Sequence, residues 1–140
     1  MNCRIFEAVS HALVLAPVSV ETATLTPTTT FVDMQAVTNT DFVVSAASMN
    51  SGKKLHLELW GADNAAGSAN PKKIAETDCT LGETGPVMAI ISYRAQAQHP
   101  RYIGVKFQHD AGAGVVCSVM AESSGCVRPA PAGSGFTLIV

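Results

Sequence analysis

From residue 53 to 61 the chain reads Lys-Lys-Leu-His-Leu-Glu-Leu-Trp-Gly, with Leu55, Leu57 and Leu59 alternating with His56, Glu58 and Trp60. At a side-chain period of two, this predicts a strand whose leucines face one way and whose polar or amphipathic residues face the other. A strand with one apolar face needs further apolar strands to cover it. Short β-rich runs over 30–34 and 41–48, an alternating run over 101–108 (Ile103, Val105 and Phe107 on one face) and a run over 115–121 supply them. Residues 72–80, with paired lysines and acids, read as a charged edge strand. The nearly all-apolar 87–93 reads as a central one. Met49-Asn50-Ser51-Gly52 predicts a turn that joins the second and third strands as a hairpin.

The two ends depart from this rhythm. Ile5, Phe6, Val9, Leu13 and Val14 fall near helical spacing, which predicts a short helix over 4–15 stopped by Pro17. Residues 18–28 are Thr-rich, carry Pro27, and suit an extended arm better than a central strand. After residue 122, Arg128-Pro129-Ala130-Pro131 favours a polyproline-like path, and the apolar run 136–140 needs cover from its own sandwich or from a neighbouring subunit. The expected organisation is an amino-terminal arm over 1–28, an antiparallel β-sandwich of jelly-roll or immunoglobulin type over 29–122, and an extended tail over 123–140.

Composition supports that picture. Hydrophobic residues reach 47% and charged residues only 14%, a balance suited to strands and turns. Nine Lys plus Arg against eleven Asp plus Glu leave no basic field to recruit nucleic acid. No apolar run approaches membrane-spanning length, and Glu7, His11 and Pro17 interrupt what would be a signal-peptide core, so a soluble protein is expected. Cys3, Cys79, Cys117 and Cys126 form no close pair, which predicts free thiols with a Cys117–Cys126 bridge as the leading exception.

Candidate chemistry is sparse. His109-Asp110 and His56-x-Glu58 can converge on a metal in principle, but His11, His56, His99 and His109 have no spacing that demands it, and neither metal nor other cofactor is expected. There is no Gly-x-Ser-x-Gly elbow and no cysteine in a catalytic setting. Glu76 and Asp78 share a strand face beside Lys72 and Lys73 and read as a solvated edge; Gly112 and Gly114 read as a hairpin turn. No enzymatic activity is expected. Trp60 and Tyr102 are the aromatics expected to face outward, suited to an oligomer contact, a sugar-binding platform or tucking beneath a loop.

Read in order, Leu15-Ala16-Pro17, Val32-Asp33-Met34, Phe42-Val43-Val44, the Gly52 turn, Arg101-Tyr102-Ile103, the 115–121 strand and Arg128-Pro129-Ala130-Pro131 resemble tailed-bacteriophage head decoration, or cement, proteins. The resemblance spans about residues 13–131 and rests on order and spacing. The chain departs from it at Ala36-Val37-Thr38-Asn39 and in extending to Val140.

The resemblance implies a non-enzymatic virion protein on the outer capsid surface, assembled in the host cytoplasm. Its implied partners are a major capsid protein and further copies of itself, as a trimer or other homo-oligomer, without direct nucleic-acid or membrane contact. The interface expected from it comprises Ile5, Phe6, Leu13, Leu15, Pro17 and Val18 of the arm, Trp60 and Tyr102 of the body, and Arg128, Pro129 and Phe136 of the tail. A carbohydrate- or receptor-binding module using Trp60 and Tyr102, or a tail or neck component, are the competing readings.

Overall fold

The computed structural model describes residues 9–21, 25–27 and 30–124. Every regular element among them is a strand: β1 Val9–Val20, β2 Thr26–Pro27, β3 Val32–Asp33, β4 Asn39–Met49, β5 Lys54–Ala62, β6 Lys72–Thr80, β7 Gly85–Arg94, β8 Tyr102–His109 and β9 Val115–Ser124. One sheet has the order β1-β9-β4-β7; the other has β2-β8-β5-β6, with β3 also paired to β8. All pairings are antiparallel.

The pairings nest. β5 lies beside β6, β4 beside β7, β2 and β3 beside β8, and β1 beside β9, as if one long hairpin with its tip between β5 and β6 had been rolled up. That is the jelly-roll form of the sandwich. Its core is built by period-two alternation: Leu55, Leu57 and Leu59 of β5 and Ile103, Val105 and Phe107 of β8 meet Phe42, Val44, Val119 and Ala121 of the facing sheet. Phe42 and Phe107 are fully buried. Each fully buried side chain of this size contributes about 1.5–3 kcal/mol.

Buried polar groups are satisfied within the fold. Thr40 and Ser123 share a hydroxyl hydrogen bond of 3.0 Å. His109, a candidate ligand on sequence grounds, is a buried structural residue. Its Nε2 donates to the Val20 carbonyl at 2.6 Å, and its Nδ1 accepts from the Ala111 N–H at 3.2 Å, which joins the two sheets through one ring.

Three expectations are corrected. Residues 9–15 are strand, not helix: they pair antiparallel with β9, with register shifts at Leu13/Leu15 and Leu15/Val18. These bulges bury the consecutive pair Val14 and Leu15, and the broken alternation imitates helical spacing. The turn at Asn50–Lys53 forms, with Gly52 at φ +82°, but no β4–β5 hairpin follows. Both strands carry a core-facing row, so they stack face to face across the sandwich instead of pairing edge to edge. Finally, among the described residues β7 is an edge strand paired with β4 alone, and Met88 and Ile90 face outward. The charged strand β6 is an edge, as its sequence indicates. The stretch expected as an arm contributes β1 to the sheet, and residues 1–8 lie outside the described residues.

Candidate interaction surfaces

The outward residues of β5 stand in a grid. Gln108, Lys106 and Gly104 of β8 flank His56, Glu58 and Trp60 on one side, and Asp78, Glu76 and Lys73 of β6 flank them on the other. His56 Nδ1 lies 2.6 Å from Asp78 Oδ1, and its Nε2 lies 3.3 Å from Glu58 Oε1. Trp60 Nε1 donates to Glu58 Oε2 at 2.7 Å, and Lys73 Nζ reaches Glu58 and Glu76 at 3.5 and 2.9 Å. The hydrogen bond to Asp78 raises the His56 pKa against the opposing effect of burial. Burial pushes Glu58 upward, yet hydrogen bonds from Trp60 and His56 and the charge of Lys73 together hold it below the usual carboxylate range.

This grid meets its own charge. Glu58 and Glu76 are direct cross-strand neighbours, a repulsive placement that Lys73 and His56 compensate. His56, Glu58 and Glu76 bring three ligand atoms within 4.8 Å of one another, but the ammonium of Lys73 already lies against both carboxylates. Among the described residues no nucleophile stands beside a base in this grid.

Trp60 and Tyr102 do face outward, each with a cation over it. Lys106 Nζ sits 3.8 Å from the Trp60 ring centroid and Arg101 Cζ 5.2 Å from that of Tyr102. Arg101 is itself held by two 2.7 Å hydrogen bonds to Asp33. Phe31, only 2% exposed, lies over Gly104 where any Cβ would collide with its ring, and the 62–71 loop holds it there through a Phe31 N–H to Ala65 carbonyl bond. Gly67, at φ +71°, completes that cover. A sugar platform on Trp60 would first have to displace Lys106. Sequence reasoning missed Lys106 over Trp60 and Phe31 over Gly104, because both contacts join segments distant in the chain.

The outer face of the β1-β9-β4-β7 sheet is the opposite. Strand register aligns Leu13, Met120, Val43 and Ile90 in a row across all four strands. Leu13 is 61% and Ile90 56% exposed, with Met88 (68%) in the adjoining row and Val116 (50%) farther along β9. Ser118 and Ser45 fill the next row with Met88, and Glu122, Asp41, Ser92 and His11 the row on the other side. His11 Nδ1 lies 3.5 Å from Glu122.

Of the residues expected at an interface, Leu13, Pro17 and Val18 are exposed on β1, whereas Leu15 is turned into the core by the bulge and is withdrawn from that set. Ile5, Phe6, Arg128, Pro129 and Phe136 lie outside the described residues. Cys79 and Cys117 are free thiols, Cys117 buried and its pKa pushed up to about 11 by desolvation; Cys3 and Cys126 lie outside the described residues. A shallow cavity of about 470 Å³ opens at one end of the sandwich beside Tyr93, His99 and Arg101. There the Tyr93 hydroxyl meets His99 Nδ1 at 3.0 Å.

No protein-family model matches the chain, and no curated protein matches it. Among solved structures it is similar to a subunit of Bacillus endospore appendages, a family of disulfide-linked pili, at 10% identity and a TM-score of 0.42, covering 90% of this chain and 97% of that one. It is similar to a chain of the native Kashmir bee virus virion at 11% identity and 0.43, covering 100% and 82%. A Clostridium thermocellum xylanase 10B carrying CBM22-1 and GH10 modules matches at 11% and 0.46, where this chain covers 96% of its own length and 28% of the other. The β-sandwich assignment rests on the strand pairing itself, and these likenesses carry no inference about what this chain does.

Proposed function

We propose that the protein is a non-enzymatic virion component that binds the outer surface of an icosahedral phage capsid and stabilises the shell through the two ends of its chain. The observation that carries this reading is the pairing of Val9 with Ser124. It sets Val9 and Ser124, the two ends of the described core, side by side at one corner of the sandwich. Two short segments tethered at one point engage neighbouring sites with a high effective concentration, so weak individual contacts add into stable attachment. The ordering entropy of each segment is offset by the interface it gains. The order of motifs that resembles that of cement proteins supports the same role.

The test follows from where β1 begins. A chain trimmed to residues 9–124 keeps every described strand, and its far-ultraviolet circular dichroism should match that of the full chain. Its occupancy on expanded capsid shells, measured by co-sedimentation, should fall to background. Undiminished occupancy by the trimmed chain would overturn the proposal.

A further inference from the structure

We propose that β7 is a docking edge at which two copies of this chain pair across a two-fold axis, joining their β1-β9-β4-β7 sheets into one. The inference goes beyond the virion reading and stands without it, because it concerns the protein in solution. A sheet edge invites an added strand unless something blunts it. Among the described residues, the other edges are blunted. β1 carries two register shifts and Pro17, β2 and β3 are two residues each, and β6 carries Lys72, Lys73, Glu76 and Asp78 with Ile74 bulged. β7 has no such device. From Val87 to Tyr93 it holds no charge and no proline, and the register shift in its pairing leaves the extra residue, Ala47, on β4.

The ladder fixes which backbone groups are open. The Ala95 N–H donates to the Thr38 carbonyl at 2.8 Å, one step beyond the Asn39–Arg94 pair. Backbone directions alternate along an antiparallel strand, so Ala89, Ile91 and Tyr93 turn their N–H and C=O groups toward β4. Met88, Ile90 and Ser92 turn theirs to the open edge, where Pro86, on the same parity, is the position without an N–H. A second β7 laid antiparallel with Ile90 on the axis matches this set to itself. Ile90 meets the partner's Ile90, Met88 the partner's Ser92 and Arg94 the partner's Pro86, closing about six backbone hydrogen bonds. The two arginines stay at opposite ends, so charge is compatible throughout the register. The outward row of Leu13, Met120, Val43 and Ile90 then runs on through the partner's Ile90 as one apolar line. One strand thus supplies both halves of the match, which selects a second copy over a foreign strand. A paired edge of about seven residues is ~23 Å long. It buries less than the roughly 1,200 Å² of a standard interface, so the dissociation constant should be on the order of tens of micromolar.

The test is sedimentation velocity of the full chain between roughly 5 and 500 μM, which should show a reversible monomer–dimer equilibrium. Ile90→Pro removes an N–H that faces the open edge and spares the bonds to β4. It should weaken the dimer by about tenfold or more while the circular dichroism spectrum stays the same. Should that variant fail to fold, Ile90→Lys, which opposes two ammonium groups across the axis, should have the same effect. Leu13→Lys, at the far end of the same apolar row, should change the dissociation constant by less than about twofold. In the unaltered chain, the amides of Met88, Ile90 and Ser92 should exchange with solvent more slowly at the higher concentration. A chain that stays monomeric over this range, or association indifferent to both Ile90 variants, would overturn the inference. Loss of the dimer in Leu13→Lys would also overturn it, by assigning the contact to stacked sheet faces.

Discussion

On the outer face of the sheet containing β5, Glu58 takes hydrogen bonds from Trp60, Lys73 and His56, and Lys106 and Phe31 close over the aromatic end. On the outer face of the sheet containing β9, Leu13, Ile90 and Met88 stand exposed over serines and alanines. Both faces arise from the same period-two alternation over the same core. The first spends its side chains on one another, so it stabilises the protomer and offers little to a partner. The second contributes little to the protomer and keeps its apolar area available. A face that satisfies itself is structural; one that does not is where binding energy resides.

The largest effect should come from breaking the self-satisfied face. Phe31→Ala removes a 2%-exposed ring and should cost about 3–5 kcal/mol in urea unfolding, given the cavity it leaves. Glu58→Gln should cost about 1–3 kcal/mol, because Lys73 and His56 lose their shared buried acceptor charge.

The same grid predicts a pH window. The raised pKa of His56 contributes stability that is complete below the ordinary histidine value of ~6.5 and is lost as pH rises through the folded value. The lowered pKa of Glu58 contributes stability that is complete above the ordinary glutamate value of ~4.3 and is lost as pH falls through its folded value. Unfolding midpoints should therefore be highest between about pH 4.3 and 6.5. His56→Gln should flatten the alkaline limb, and an unaltered limb would remove His56 from the account.

The smallest effect should fall on the other face. Ile90→Ser should shift stability by no more than about 1 kcal/mol in the full chain. A cost as large as that of Phe31→Ala would erase the contrast between the faces.

What the sequence displayed, and what it concealed, divides along the same line. Alternation at Leu55, Leu57 and Leu59 is local and uninterrupted, and both the strand and its orientation follow from it. At β1 the alternation is broken by two bulges, and Val14 next to Leu15 then mimics a helical face. β7 was the most instructive misfit: Val87 to Tyr93 looks like a strand buried on both sides, yet Met88 and Ile90 face outward, so the excess apolar character marks a surface instead of a core. Trp60's outward direction was legible from parity. The Lys106 ammonium over its ring was not, since Lys106 becomes its neighbour only through strand pairing, as Phe31 reaches Gly104 only through loop closure. The choice between jelly roll and immunoglobulin-like sandwich depends on which distant strands pair, and no local pattern encodes that.

The rolled hairpin also has a kinetic meaning. Its pairs close loops of steadily increasing length, from β5 with β6 to β1 with β9, where Val9 meets Ser124 across nearly the whole chain. Loop-closure entropy makes such non-local pairing slow, with all-β topologies folding in roughly milliseconds to seconds. The β5–β6 hairpin is the local starting point and the β1–β9 pair the natural last step. Until that step is complete, β9 presents an open edge along its full length, in the same chain region that carries the apolar 136–140 segment. A chain in which β1 has yet to pair would offer that edge to a strand of another copy, and pairing of β1 with β9 closes it.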